Sequence, residues 1–212
     1  DGPDRPHASH RAAFATGNGR VYAMAGLADP VNLLHNIAGP RYSKNTRFFG
    51  DHWFTLSVDG EEIVWDRECL ARPRGTGLMV TRADGQGWTM FTVDVAPVGS
   101  EWGDGAPAIL RYFLLASEDG GHAEIRHHSH QSLDEDAPIE RVSDGQLLGW
   151  VGFGDPIRKD EAGWLVDAGE IDAAGERSVQ LAMVTADTDA ELADSAAALA
   201  ADPDLLDRTG RW

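Results

Sequence analysis

The segment from His122 to His130 contains the residue types in this sequence that are best suited to chemistry. In a β-strand, alternation would place five of its side chains on one face: His122, Glu124, Arg126, His128 and His130. His128 and His130 would lie about 6.5–7 Å apart at Cα, and with Glu124 they could hold a divalent metal. Arg126 puts a fixed positive charge between them. We therefore favour a solvated polar sheet face and keep a metal-dependent enzyme as an alternative.

Seven tryptophans form the second group of candidates: Trp53, Trp65, Trp88, Trp102, Trp150, Trp164 and Trp212. Aromatic faces can stack on the C–H faces of sugar rings. Trp53 falls on the polar side of a predicted strand, opposite Phe54 and Leu56, and Trp102 lies in a turn-like segment. Either could contact a sugar, and the alternative for each is packing in a core or against another domain.

Other kinds of active site find little support. The acidic pairs Glu61/Glu62 and Asp134/Asp136 show no sign of two carboxyls facing each other across a cleft. No serine lies in a nucleophile-elbow pattern. Cys69 is the only cysteine, and its position in a predicted strand indicates a buried structural thiol. We predict no catalytic residue in this chain and no cofactor.

Glycine turns and alternating hydrophobic runs dominate the first 186 residues. Asn-Gly and Asp-Gly pairs such as Asp59-Gly60 and Asp84-Gly85 predict hairpin turns. Phe91, Val93 and Val95 alternate with Thr92 and Asp94, which predicts a strand with its polar residues facing water. The run 109–115 is apolar on both faces, as in a central strand, and Val179, Leu181 and Met183 share one face of another. The predicted fold is an all-β, large antiparallel two-sheet sandwich.

Three regions are predicted along the chain: a disordered or extended N-terminus over 1–10, the sandwich over 11–187 and a helical segment over 188–212. Thr188 and Glu191 fit a capping box, and Asp202-Pro203 would start a second helix. We interpret this segment as a linker toward a domain missing from the chain. The alternative is a helix folded back over one sheet.

The longest irregular stretch runs from about residue 28 to 45, and stretches of this length tend to be functional. Loop position and chemistry select these residues as candidates for a substrate or domain interface: His35, Arg41, Tyr42, His52, Trp53 and Trp102.

The formal charge of −17 disfavours nucleic acid and anionic membranes as partners, whereas a neutral sugar suffers no such penalty. No run approaches the roughly 20 apolar residues of a membrane helix. The sequence therefore predicts a soluble protein, with the cytoplasm slightly favoured over secretion.

Several segments together resemble the N-terminal β-sandwich of the α/α-toroid, glucoamylase-like glycosidases and phosphorylases. They are the glycine-turn strand Phe14–Val21, Gly39-Pro40-Arg41-Tyr42, Asp59-Gly60-Glu61 with Ile63-Val64-Trp65, and the helical exit from Thr188 to Trp212. In that family the catalytic carboxylates belong to the helical barrel, so none is carried over to this sequence.

The resemblance implies a non-catalytic domain of a glycoside hydrolase-like enzyme. Such a domain would pack on a helical (α/α) glycosidase domain, shape its substrate entrance and meet an oligosaccharide there. A stand-alone carbohydrate-binding module that uses exposed tryptophans is the main alternative.

Overall fold

The structure of the protein is a computed structural model, and it describes residues 11–27, 32–39, 49–71, 78–97, 107–142 and 145–202. Two antiparallel sheets, numbered here by strand in chain order, make up most of this part of the chain. The first eight strands are β1 (Arg11–Gly17), β2 (Tyr22–Leu27), β3 (Leu34–Ala38), β4 (His52–Val58), β5 (Glu61–Glu62), β6 (Arg67–Ala71), β7 (Met79–Gly85) and β8 (Trp88–Val95). The remaining strands are β9 (Ala108–Ser117), β10 (Gly121–Ser129), β11 (Ile139–Arg141), β12 (Leu147–Phe153), β13 (Ile157–Asp160), β14 (Gly163–Ile171) and β15 (Glu176–Ala186).

Sheet one has the order β1-β2-β3-β4-β10-β14-β13, with β5 paired to β4. Sheet two has the order β11-β12-β15-β9-β8-β7-β6. One apolar core lies between the sheets. It takes Phe54, Leu56 and Ile125 from sheet one, and Phe113 and Leu181 from sheet two. The predicted all-β two-sheet sandwich is confirmed.

Alternation predicted the buried face correctly in several strands. In β4 the residues at positions 52, 54 and 56 are buried while the residues between them are half-buried. Val179, Leu181 and Met183 all enter the core from β15. Strand β9, which the sequence predicts to be central, pairs with β15 on one side and β8 on the other.

The prediction for β8 was wrong, because its polar residues face the core. Thr92 and Asp94 are buried together with Met90, whereas Phe91 and Val93 lie half-buried on the outer face of sheet two. The reason is Arg111 of β9, which is fully buried and pairs with Asp94 across the two strands. A buried partner for the carboxylate reverses the orientation that hydrophobicity alone would select.

Of the two hairpin turns predicted at Asp-Gly pairs, one lies at the predicted residues and the other lies two residues later. Asp59 and Gly60 both have positive φ, of 52° and 85°, as a two-residue type I′ turn requires. In the next hairpin, Asp84 and Gly85 remain in β7, and Gln86 and Gly87 form the turn with φ of 52° and 76°. The turn moves by two residues because Gly85 pairs with Trp88.

A single helix, α1 (Asp189–Ala200), follows the last strand in the described residues. Its cap is the predicted one, since Thr188 accepts a hydrogen bond from the Glu191 N–H. The Glu191 carboxylate in turn accepts one from the Asp187 N–H at 2.9 Å. No helix within these ranges is long and apolar enough to cross a membrane.

Helix α1 is folded back onto the outer face of sheet two. Leu192 and Leu199 are buried against an apolar cluster that includes Val95, Leu110 and Val184. The described part of α1 thus matches the fold-back alternative, and the expectation of a linker toward a further domain stays a prediction. The second helix start at Asp202-Pro203 extends beyond the described residues.

Candidate functional site

An aromatic cluster lies on the outer face of sheet one, where β4 and β10 run side by side. Trp53 and His128 are directly paired across these strands. Because Phe54 and His127 point into the core, alternation turns Trp53 and His128 outward. His130 follows at the end of β10. We call Trp53, His128 and His130 the Trp53 platform.

The three rings of the Trp53 platform contact one another closely. The Trp53 and His128 rings are stacked, with centroids 5.3 Å apart and planes 11° from parallel. The His130 ring meets the indole edge-on, with centroids 4.9 Å apart at 61°. Offset stacking and edge-to-face contact are the two favoured geometries for aromatic pairs. The indole is thus held in one orientation.

Polar groups border this platform. The Thr55 hydroxyl lies 2.9 Å from His128 Nε2, and Asp51 Oδ2 lies 3.3 Å from His130 Nδ1. Burial lowers the pKa of His128, and the nearby Glu62 opposes that shift without cancelling it. His128 is accordingly a neutral ring at pH 7.

Beside the platform, the outer face of sheet one carries positively and negatively charged side chains in alternation. Arg126 makes two 2.8 Å hydrogen bonds to Asp160, and these hold the pKa of that carboxyl well below its usual range. Arg158 binds Asp167 at 2.6 Å, and His122 lies 3.1 Å from the same carboxylate. The predicted solvated polar face describes this surface.

The metal-binding alternative finds no supporting geometry in this part of the molecule. Glu124 lies 3.9 Å from Arg126 and 3.8 Å from Arg158, while His128 and His130 are engaged with Thr55 and Asp51. Two guanidinium groups thus occupy the neighbourhood of the only acidic ligand in the predicted set. Across the described ranges, no group of three or more His, Cys, Asp or Glu side chains is placed to hold a metal.

His52, which the sequence suggests as an interface residue, lies in the interior with 0% exposure. Its Nε2 is 2.9 Å from Glu140 Oε2, and its Nδ1 accepts from the Trp150 indole N–H at 3.2 Å. Because an indole can only donate, His52 carries its proton on Nε2 and donates it to Glu140. His127 Nε2 lies 3.0 Å from His52 Nδ1, so its N–H shares the single lone pair of that nitrogen with the indole N–H.

The buried carboxylate of Glu140 also holds the chain at the start of β4. The Gly50 N–H donates to both of its oxygens, at 2.8 and 3.1 Å. On the other side, His127 Nδ1 is buried and has no hydrogen-bond partner among the described residues. Burial is the main cause that keeps the pKa of His127 well below 6.5, with His52 adding to the effect.

A second buried polar group joins the two sheets. Arg111 binds Asp94 through two hydrogen bonds of 2.7 and 2.9 Å, and donates to the Asn32 carbonyl at 3.0 Å. The Asn32 side chain exchanges two hydrogen bonds with the backbone of Phe54, at 3.0 and 3.1 Å. These contacts fix Asn32 in its positive-φ conformation of 54°.

The other predicted site residues are placed apart or cannot be located. His35 is half-buried on β3, where it pairs with Met24 of β2. Arg41, Tyr42 and Trp102 lie outside the described residues. Of the predicted set, the structure therefore brings together Trp53, His128 and His130.

Sequence reasoning missed an apolar surface on the outer face of sheet two, beside helix α1. Phe91 pairs with Leu114, and Val80 and Tyr112 both pair with Val93. Leu114 is 38% exposed at the middle of the central strand β9. We call these five residues the Leu114 surface. The misread alternation of β8 hid it, because Phe91 and Val93 were expected in the core.

A shallow cavity of about 580 Å³ lies at the β7–β8 turn, lined mainly by polar and charged residues including Asp66, Arg67 and Glu118. Arg82 and Asp84 in its wall form an ion pair at 2.8 Å. Hydrogen bonds from Arg82 and Thr89 lower the pKa of Asp84. The charges of this pair are therefore satisfied within the protein.

Cys69 is exposed on β6, contrary to the expectation of a buried thiol. It pairs with Arg82 at the edge of sheet two.

Comparison with models of known protein families gave no match, and a search among curated proteins gave no relative.

Proposed function

We propose that this chain is a non-catalytic β-sandwich domain of a glycoside hydrolase-like enzyme, which packs on a helical catalytic domain and shapes its substrate entrance. The observation that carries the proposal is the Leu114 surface, an apolar area on the outer face of sheet two that continues the area already covered by helix α1.

The way α1 is seated supports a helical partner. Leu192 and Leu199 belong to an apolar cluster with side chains from β8, β9 and β15, and α1 packs on β15 and β12, so the outer face of sheet two accepts a helix there. Tyr112 packs against the same cluster and also belongs to the Leu114 surface. A second helix laid beside α1 would extend this contact and remove Leu114 from water, which is favourable by roughly 25 cal/mol per Å² of apolar area.

The roles of the titratable groups support a non-catalytic domain. His52, Glu140 and His127 form the most chemically suggestive group in the described residues, but they lie between the sheets. Their hydrogen bonds tie the sheets together and anchor Gly50. A glycosidase needs two carboxyls on either side of a substrate, and these residues offer one carboxyl with no access from outside.

The proposal is tested in the complete polypeptide that the gene encodes. Leu114→Glu places a charge in the proposed contact and is expected to weaken it, because a desolvated carboxylate without a partner is costly. Hydrolysis of a panel of aryl glycosides and oligosaccharides should fall, and the thermal unfolding of the two domains should separate into two transitions. Val64→Glu is the matched control, since Val64 is 66% exposed and is not one of the five residues of the Leu114 surface.

Two results would contradict the proposal. One is a complete polypeptide that contains no helical domain. The other is an L114E variant whose activity and unfolding match those of V64E. Circular dichroism of the 212-residue chain carrying L114E checks that the sandwich itself still folds.

A further inference from the structure

We propose that the Trp53 platform is a surface subsite for a neutral oligosaccharide. This inference rests on the proposed role in carbohydrate metabolism and deepens it, since it names the class of ligand and the place where it binds. It is independent of the Leu114 surface, which lies on the other sheet.

The orientation of Trp53 is suited to stacking. Its side chain projects from the outer face of sheet one and is half-buried. His128 stacks on the indole and His130 contacts its edge, so the ring is fixed before any ligand arrives. A sugar presents weakly positive C–H groups on one face, and an aromatic ring presents a negative face. A preorganised ring loses little side-chain entropy when it binds.

The polar border of the platform suits hydroxyl groups. Asp51 is an acceptor, the Thr55 hydroxyl can both donate and accept, and the exposed Glu62 of β5 lies near His128. His130 has 60% of its side chain exposed and reaches beyond the indole edge. A sugar hydroxyl both donates and accepts hydrogen bonds, so a mixed border of this kind matches it.

The charges of this face favour a neutral ligand. Arg126 and Arg158, the guanidinium groups on the same face, are both held by carboxylates, Asp160 and Asp167. The whole chain carries a formal charge of −17, which repels acidic polysaccharides. The position of the platform on the outer face of a sheet suits one or two residues of a longer chain, since small metabolites are usually enclosed in pockets.

Affinity electrophoresis of the 212-residue chain tests the inference. The gels contain one neutral polysaccharide each: soluble starch, pullulan, xylan, galactomannan or mixed-linkage β-glucan. Retardation by at least one of them is expected. Trp53→Ala should weaken that binding by about tenfold or more, because a central aromatic contact carries much of the affinity in such sites. Trp53→Phe, which keeps a ring, should retain part of it.

Trp164→Ala is the matched control. Trp164 is another half-buried tryptophan of sheet one, on β14, where Lys159 lies 5.5 Å from its ring centroid. It should leave binding unchanged, and circular dichroism should show that every variant is folded.

Three outcomes would overturn the inference. They are no retardation in any neutral gel, equal loss in W53A and W164A, or binding that W53A leaves intact. Retardation only by the acidic polymer alginate, lost in W53A, would show that the ligand class is wrong. None of these outcomes tests the docking of a helical domain on the Leu114 surface. Likewise, an L114E variant that behaves like V64E would not change the result of the saccharide-binding test.

Discussion

Individual polar side chains hold this sandwich together in places where an apolar core would be simpler. Taking Arg111 and Asp94 out of water is expensive, and their attraction offsets that cost only with good geometry and further hydrogen bonds. The structure provides two short hydrogen bonds within the pair and a third to the Asn32 carbonyl. The pair also ties Asn32 to both sheets, which fixes one end of the segment that the sequence marks as functional.

His127 gives a pH dependence to folding. The folded protein keeps this histidine neutral because burial lowers its pKa well below 6.5, whereas the unfolded chain takes up a proton near pH 6.5. The unfolded state therefore binds more protons as the pH falls, and the native state loses stability. We expect the free energy of unfolding to decrease as the pH is lowered from 6.5. His127 should contribute a slope that approaches about 1.4 kcal/mol per pH unit.

Urea unfolding of wild type and His127→Gln between pH 7.5 and 5 measures this contribution. The glutamine amide can still donate to His52 but does not titrate, so the variant should show a shallower slope. Parallel slopes for wild type and H127Q would show that His127 is not the source.

At the residue scale, the sequence predicted which way a side chain faces better than it predicted which residue that side chain contacts. Alternation correctly turned Trp53 and His128 toward the surface, because both lie in regular strands with an apolar opposite face. It failed for Asp94, and loop position and chemistry failed for His52, because the burial of these two residues depends on Arg111 and Glu140 in other strands. Pairs that are 88 and 17 residues apart leave no signal in local periodicity.

Helix α1 shows how an element with little apolar surface can dock firmly. It buries Leu192 and Leu199, and it approaches β12 closely at Gly149. A Cβ added at Gly149 would lie 2.8 Å from the Leu192 side chain, so a larger residue there would push Leu192 away. Close approach of a helix to a strand is thus permitted by one glycine.

A double-mutant cycle tests this docking. Leu192→Ala should cost about 2–4 kcal/mol of unfolding free energy, because it removes a buried side chain. Gly149→Ala should also destabilise the protein, through the clash. In the double variant the smaller side chain makes room for the new methyl group. The double variant should therefore lose about 1 kcal/mol less unfolding free energy than the sum of the losses in the two single variants.

Chemical denaturation of the four proteins gives the cycle, and Asp194→Ala on the exposed side of α1 is the control. Asp194→Ala should change stability by about 0.5 kcal/mol or less. If Leu192→Ala were as mild as this control, α1 would not be packed on sheet two as described.

The elements themselves were largely predictable. Glycine turns, alternating runs and the capping box at Thr188 are local signals, and most strands and the helix appear where they indicate. Strand β3 is an exception, because it lies in the stretch predicted to be irregular. The turn at Gln86-Gly87 was misplaced by two residues, because an Asp-Gly pair precedes it and register is decided by pairing across the hairpin. The docking of α1 was not predictable, since it depends on a partner surface formed by distant strands.

At the scale of the whole molecule, one sandwich presents three different surfaces. Sheet one presents the Trp53 platform and a face of compensated charges, while sheet two presents the Leu114 surface beside α1. The sandwich class followed from the sequence because many short strands with tight turns leave few alternatives. The Leu114 surface did not, because its exposure is a consequence of the buried Arg111–Asp94 pair in neighbouring strands.

The most direct test of the central claim is hydroxyl-radical footprinting of the 212-residue chain and of the complete polypeptide. If sheet two packs on a helical domain, oxidation of Leu114, Tyr112 and Phe91 should fall several-fold in the complete polypeptide, while oxidation of Val64 stays the same. Equal oxidation of Leu114 in both proteins, with a helical domain present, would contradict the proposed docking.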